Sequence, residues 1–295
     1  MSFVIECRNL CHSYGRKEVL RNLNFTVEPG RIFGLLGKNG VGKSTTINIL
    51  MGFLQPSSGE CRIFGEPSHA IQPVTRRRIG LLHEGHLQYG YMSIEEVEKF
   101  YSAFYPKWKR ELYYNLMDKL GLSYSHRIFR MSCGQRSQVT LGLILAQDAD
   151  LMILDDYSLG LDANYRRLFI DFLKDYVDGR DKTILVTSHI VQDLERFVDD
   201  IIILDRCGVI CQSTLKDFMN GVKCFRFRGA EAVSRLRRGG AIVHFDVVGE
   251  RADIFTFKDR DAVMASLAAL GLEELELEEV TMSLEDAFIG VTGKY

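Results

Sequence analysis

Residues 37 to 44 read Gly37-Lys38-Asn39-Gly40-Val41-Gly42-Lys43-Ser44, which fits the pattern GxxxxGK[ST]. The pattern constrains the fold because of what it must do. Its glycines let backbone N–H groups close around an anion, and the positive end of the following helix points at the same charge. Such a loop needs a buried strand before it and a helix after it. Ile32-Phe33-Gly34-Leu35-Leu36 supplies the first, and Thr45-Thr46-Ile47-Asn48-Ile49-Leu50 the second. The loop therefore predicts a nucleoside triphosphate ligand. Lys43 would reach the terminal phosphates, the Ser44 hydroxyl would ligate Mg²⁺, and Thr45 would close the binding segment.

The chain has 295 residues, which suggests about two domains, each large enough to bury its own core. A net charge of −2 gives no general attraction to nucleic acid, and no nucleic-acid partner is expected. The short run Arg76-Arg77-Arg78 reads as a solvated helix face. Seven scattered cysteines, an odd number without metal-finger spacing or a secretory signal, read as reduced thiols in a cytosolic setting. Cys7 with Cys11 and Cys207 with Cys211 share a spacing, but no histidine cluster accompanies either pair. The longest apolar stretches, 151–154 and 201–204, are far too short to span a bilayer, so the chain is expected to be soluble.

Alternation through residues 3–7 and 24–27, with Pro29-Gly30 following, predicts a small antiparallel sheet beside the nucleotide-binding core. A further short strand is expected at 61–65. From Ser93 the pattern turns helical. Ser93 and Glu96 form a capping-box signature, Val97, Phe100, Tyr101 and Phe104 follow helical spacing, and Leu112, Leu116 and Leu120 mark a second stripe. A helical subdomain is therefore expected over about 86–145, with Tyr101, Tyr105 and Trp108 as packing residues. Strands at 151–155, 183–188 and 200–205 alternate with helices at 163–178 and 190–198, which predicts a mostly parallel sheet covered on both faces. Beyond about residue 221 the pattern becomes a small α+β domain: strand 223–227, helix 231–238, strands at 242–248 and 253–257, helix 261–270 and a strand near 275–280.

Two further segments bear on the ligand. Leu151-Met152-Ile153-Leu154 ends in Asp155-Asp156, so that Asp155 can hold Mg²⁺ where a buried strand emerges. Met131-Ser132-Cys133-Gly134-Gln135 precedes a helix expected from Arg136 to Ala146, and a serine with a glycine amide at a helix N-terminus makes an anion site. Here the chain resembles the ATP-binding subunits of ABC transporters, whose signature is Leu-Ser-Gly-Gly-Gln; three of the five positions are identical. The resemblance runs in order over residues 1 to about 220. It implies an α/β P-loop NTPase core of RecA type, with an antiparallel β subdomain and a helical subdomain, and an ATPase that uses ATP and Mg²⁺. In that family two copies sandwich two nucleotides head to tail, so Ser132, Gly134 and Gln135 would act on the phosphate held by a second copy. Tyr14 takes the place of the aromatic that stacks on adenine. Ser158-Leu159-Gly160-Leu161-Asp162 resembles the loop that crosses to the partner, and His189 after Ser188 resembles the switch histidine at the γ-phosphate.

Three positions depart from the family. Asp156 stands where a glutamate polarises the attacking water, and its carboxylate has about 1.5 Å less reach. A misplacement of about 1 Å can cost roughly a hundredfold in rate, so slow hydrolysis is expected to be in play. In Ile79-Gly80-Leu81-Leu82-His83-Glu84, Glu84 or His83 aligns with a glutamine that contacts γ-phosphate, Mg²⁺ and the membrane subunit. Cys133 replaces the first signature glycine. The close Met282-Ser283-Leu284-Glu285-Asp286-Ala287-Phe288 and the segment Phe104-Tyr105-Pro106-Lys107-Trp108 resemble drug- and antibiotic-exporter ATPases whose permease is a separate chain. The implied setting is peripheral, at the cytoplasmic face of the cell membrane. The implied assembly is a homodimer, or a heterodimer with a related subunit, docked on transmembrane permease subunits.

Overall fold

A computed structural model describes residues 3–83, 89–158, 161–188, 190–205, 208–272 and 275–293, without the side chains of Ala230 and Glu231. The chain divides into two compact units, Met1–Gln212 and Ser213–Tyr295.

The first unit opens with two long antiparallel strands, β1 (Ile5–Tyr14) and β2 (Lys17–Val27). Both extend well past the expected 3–7 and 24–27. The pairing register shifts after Cys7, Leu10 and His12, and Asn9 and Asn22 have φ near +47°. Each irregularity resets the two-residue period, so the alternation that marks a strand in sequence disappears while the pairing continues. Then follow β3 (Ile32–Gly37), α1 (Lys43–Leu50), β4 (Ser58–Ile63), β5 (Glu66–Pro67), α2 (Pro73–Arg76) and β6 (Ile79–Leu82). Strands β2, β1, β4 and β5 form a four-stranded antiparallel sheet. Its inner face, with Ile5, Leu10, Leu23, Phe25 and Ile63, shares one core with β3 and α1.

The helical segment holds α3 (Ile94–Ser102), α4 (Arg110–Asp118) and α5 (Cys133–Ala146). Ser93 caps α3 through the expected box with Glu96. Two expectations need correction. On α4 the buried residues are Tyr113, Leu116 and Met117, because the helix stops at Asp118 and Leu120 lies beyond it. On α3, Val97 is buried but Phe100 and Phe104 are exposed; they stack on each other, and Phe100 also on Tyr89, with centroids 5.2 Å apart in both pairs. Trp108 is half-buried and its indole N–H donates to the buried carboxylate of Glu98 at 2.9 Å.

The remaining elements of this unit are β7 (Leu151–Leu154), α6 (Ala163–Val177), β8 (Thr183–Thr187), α7 (Val191–Leu194), β9 (Asp200–Asp205) and β10 (Gly208–Thr214). The large sheet has the order β10-β9-β3-β8-β7-β6, and β9, β3, β8, β7 and β6 are parallel. Every residue of β7 and β8 is buried, as a strand covered on both faces requires. Helix α7 is a single turn, not 190–198. The chain must leave it early because Asp199 exchanges hydrogen bonds with Ile32 and Asp200 pairs with Arg31, both at the entry to β9.

The second unit comprises α8 (Leu215–Gly221), β11 (Lys223–Arg228), α9 (Ala230–Arg235), β12 (His244–Val248), β13 (Arg251–Thr256), α10 (Arg260–Ala268), β14 (Glu278–Val280) and α11 (Leu284–Thr292). Its antiparallel sheet runs β12-β13-β11-β14. Phe225, Phe227, Ile254, Val263 and Leu267 fill its core. Helix α9 ends three residues short of the expected 238, where Leu236 leaves the helical conformation and buries itself. Helix α11 packs Gly290 against the Phe255 ring, a contact that leaves no room for a Cβ.

Candidate functional site

The phosphate-loop pattern becomes a structure through three local requirements. Gly40 and Gly42 have φ of +81° and +103°, which side-chain-bearing residues rarely adopt. A Cβ on Gly37 would stand 2.6 Å from Val41 Cγ2. Helix α1 then starts at Lys43 with no side-chain cap and no acidic residue in its first turn. Its N-terminal dipole thus faces the cleft without internal compensation, as an anion site needs. The Lys43 ammonium donates to the Gly37 and Lys38 carbonyls at 2.6 and 3.1 Å. Burial pulls its pKa below the usual lysine range, and Asp156 and Asp155 partly offset that.

Opposite this loop, β7 delivers two consecutive aspartates. Asp155 is 2 % exposed. Its Oδ1 accepts from Thr187 Oγ1 at 2.9 Å and from Ser44 Oγ at 3.3 Å, and its Oδ2 is buried without a hydrogen-bond partner. Asp155 lines a cleft with one carboxylate oxygen shared by Ser44 and Thr187 and the other without a hydrogen-bond partner, a donor set that fits a hard divalent cation. Asp156 has φ +48°; its N–H donates to Thr187 Oγ1 at 2.8 Å, and its Oδ1 accepts from Ser158 Oγ at 3.2 Å.

A cleft of about 420 Å³ joins these groups. Tyr14, Asn39, Gly40, Gly42, Lys43, Ser44, Thr45, Asp155 and Asp156 line it, as do Lys17, Val19, Thr187 and Ser188, which sequence reading did not select. Lys17 is there because a two-residue turn pairs it with Tyr14. Tyr14 is 51 % exposed, with one edge against His12 at a centroid distance of 4.7 Å.

Ser132, Gly134 and Gln135 do not line this cleft. They form the start of α5, three residues before the expected Arg136. Ser132 Oγ accepts from the Gln135 N–H, and Gln135 Oε1 accepts from the Ser132 N–H, a reciprocal cap. As an acceptor, the Ser132 hydroxyl keeps its own proton for donation. Gly134 packs under Tyr165 of α6. Asp162 caps α6 by accepting from the Tyr165 N–H at 3.0 Å. His83 approaches Asn48 on α1, 3.4 Å between Nε2 and Oδ1, outside the cleft lining. Glu84 and His189 lie outside the described residues. Cys7 faces Cys61 across β1 and β4 with sulfurs 3.0 Å apart, and Cys11 is not its neighbour.

Comparison with known proteins agrees with this geometry. The profile of the family described as ABC transporter matches residues 20–158. Nod factor export ATP-binding protein I of Rhizobium johnstonii is 30% identical, over 98% of this chain and 95% of that protein. Its counterpart in Cupriavidus metallidurans is 32% identical over 70% of this chain and 69% of that protein. A solved ATP-binding subunit of an ABC transporter superposes with a TM-score of 0.65 at 26% identity, covering 74% of this chain and 92% of that one. No described helix is long and apolar enough to cross a membrane. With a P-loop ATPase fold, a phosphate loop facing paired aspartates and relatives matched over nearly their whole length, the chain belongs to the ABC transporter family as an ATP-binding subunit.

Proposed function

We propose that this subunit is a hydrolysing motor that dimerises around two ATP and drives separate transmembrane permease subunits, in the direction of export. The observation that carries the reading is the cleft itself: an uncapped helix N-terminus with Lys43 and Ser44 on one wall, and Asp155 and Asp156 on the other. In it Tyr14 takes the adenine ring on its open face, and Gly37 to Thr45 surround the phosphates. Ser44 and the orphaned Oδ2 of Asp155 hold Mg²⁺, with Glu84 as a further ligand. Bound there, the cation neutralises phosphate charge. Asp156 orients and deprotonates the attacking water, and His189 touches the γ-phosphate.

The second wall comes from another copy, or from a related subunit, through Ser132 and Gly134, with Gln135 holding the cap. The exposed aromatic group of Phe100, Phe104 and Tyr91 on the helical segment is the surface offered to the permease, together with Glu84. Export is favoured because the curated relatives are named for export. The complex then lies at the cytoplasmic face of the membrane. One observation favours a second reading, an ATP-gated clamp with slow turnover: Asp156 has a carboxylate about one C–C bond shorter than glutamate.

Copurification from gently solubilised membranes tests the assembly. Recovery with a polytopic membrane protein is expected, and recovery alone would count against the transporter role. Single-turnover hydrolysis by that complex tests the chemistry. Asp156→Asn should slow it by about a hundredfold or more; an unchanged rate would remove Asp156 as the base.

A further inference from the structure

Three hydroxyls lie behind the paired aspartates, and neither phosphate nor metal binding accounts for all of them. Ser158, Thr187 and Ser188 are 3 %, 1 % and 2 % exposed. Thr187 is spent on both aspartates, accepting from the Asp156 N–H and donating to Asp155. The two serines form a separate line. The Ile190 N–H donates to Ser188 Oγ at 3.0 Å, Ser188 Oγ is 3.0 Å from Ser158 Oγ, and Ser158 Oγ is 3.2 Å from Asp156 Oδ1.

Proton counting gives this line a direction. A hydroxyl has one proton to donate. Asp156 as a carboxylate can only accept, so the Ser158 proton goes to it, and Ser158 must then accept from Ser188. The Ser188 oxygen is in turn an acceptor for the Ile190 amide. The Ile190 carbonyl, another contact open to the Ser188 proton, is longer at 3.4 Å, and the Tyr157 hydroxyl is a further neighbour of Ser188. The result is a one-way file of donors from a backbone amide to a carboxylate, each bond polarising the next.

We propose that Ser158, backed by Ser188, is the positioning residue that aims the Asp156 carboxylate for ATP hydrolysis; this rests on Asp156 being the base. The backbone of Asp156 is already fixed by its N–H bond to Thr187 and its left-handed φ. What remains is rotation of the side chain, and holding one carboxylate oxygen sets the direction of the other. Aim matters more for aspartate than for glutamate, because a shorter side chain cannot bend to correct an error. Both serines come from rigid flanks. Ser188 directly follows β8, and Ser158 follows Tyr157, whose ring stacks on Phe169 of α6 at 5.1 Å.

The test is a double-mutant cycle in the purified transporter complex. Ser158→Ala should lower the single-turnover rate by about tenfold or more, as loss of aim at a reacting group does. ATP affinity without Mg²⁺ should stay at the wild-type value, and the melting temperature should fall by only the few degrees that a lost buried hydrogen bond costs. Ser158→Thr should restore the rate, and Ser188→Ala should cause a smaller loss in the same direction. In an Asp156→Asn background, Ser158→Ala should have no further effect. A crystal structure of nucleotide-free Ser158→Ala should show the Asp156 carboxylate rotated away from its wild-type direction. Full rate in Ser158→Ala, or an equal fractional loss in both backgrounds, overturns the proposal while Asp156→Asn is slow. Wild-type rate in Asp156→Asn removes the base assignment and this inference with it.

Discussion

Gly134 sits in the segment that the family uses against phosphate, but in the isolated chain it has a mechanical reason to be glycine. A Cβ built there would stand 2.5 Å from Cε2 and 2.7 Å from Cγ of the Tyr165 ring. Carbon atoms in contact prefer about 3.5–4.0 Å, so in Gly134→Ala the ring must retreat by about 1 Å. Tyr165 lies in the first turn of α6, whose N-terminus is fixed by Asp162, so that retreat is resisted. Overpacking of this kind costs about 1–3 kcal/mol, and alanine returns at most about 1 kcal/mol of helix propensity over glycine. With the full return the net loss is about 0–2 kcal/mol, and its midpoint of about 1 kcal/mol should lower the melting temperature of the nucleotide-free chain by about 3 °C. Calorimetry measures it directly. Tyr165→Ala supplies the control: in that background Gly134→Ala should be neutral or stabilising, a coupling of about 1 kcal/mol or more. A Gly134→Ala chain that melts at the wild-type temperature, or that loses as much in both backgrounds, would refute the steric argument. If the double variant melts normally but the complex still fails to hydrolyse, close approach of backbone to phosphate is a second, separate demand on the same glycine.

Tyr14→Ala should weaken ATP binding by roughly tenfold or more, since a base stacked on an aromatic ring contributes about 1–3 kcal/mol, and Tyr14→Trp should keep it; equal affinities in a fluorescent-nucleotide titration would remove the stack. Thr187→Val keeps the shape of β8 but deprives the Asp156 N–H of its acceptor and Asp155 of a donor. It should cost about 1–3 kcal/mol in denaturant unfolding, and Thr187→Ser should cost far less; a fully stable valine variant would refute the pairing. Lys43 is depressed by burial, so between its folded pKa and its higher unfolded pKa the unfolded chain binds more protons. The stability of wild type relative to Lys43→Met should therefore rise as pH increases from neutrality towards 10.5. A flat or falling difference in melting temperature across that range would contradict the burial effect.

Features whose chemistry is local were legible in the sequence. The phosphate loop needs glycines and an apolar strand within a dozen residues, and the Ser93–Glu96 box needs only one helical turn, so pattern and structure coincide there. Legibility failed where a distant partner decides. Around Asn9, β1 carries an extra residue against both β2 and β4, and around Asn22 β2 carries one against β1; these irregularities erase the alternation of two long strands. Tyr113, not Leu112, takes the buried face of α4, where its hydroxyl donates to the Ile94 carbonyl at 2.8 Å. The cap between Ser132 and Gln135 is written in the sequence as the spacing S-x-x-Q, within one helical turn.

Two of the four residues missed in the cleft, Thr187 and Ser188, follow from the order of strands. Strand β8 lies between β3 and β7, so the group that ends β8 must stand between the phosphate loop after β3 and the aspartates after β7. In sequence Thr187 and Ser188 are more than a hundred residues from the loop, and nothing marks them as chemical. In a parallel sheet, however, all three strand ends emerge on one side, where ligands bind. Whatever follows β8 is thereby committed to the site. A hydroxyl is the economical choice there: it can accept from the Asp156 amide and donate to the Asp155 carboxylate at once, which an amine cannot do and an apolar residue would forfeit. The same geometry separates the two aspartates. Asp155 bonds Ser44 and keeps its other oxygen buried without a hydrogen-bond partner, while Asp156, with its left-handed backbone, bonds Ser158. Adjacent, chemically identical residues thus acquire different surroundings from the strand beside them, which is what the proposed division of labour between metal ligand and base requires.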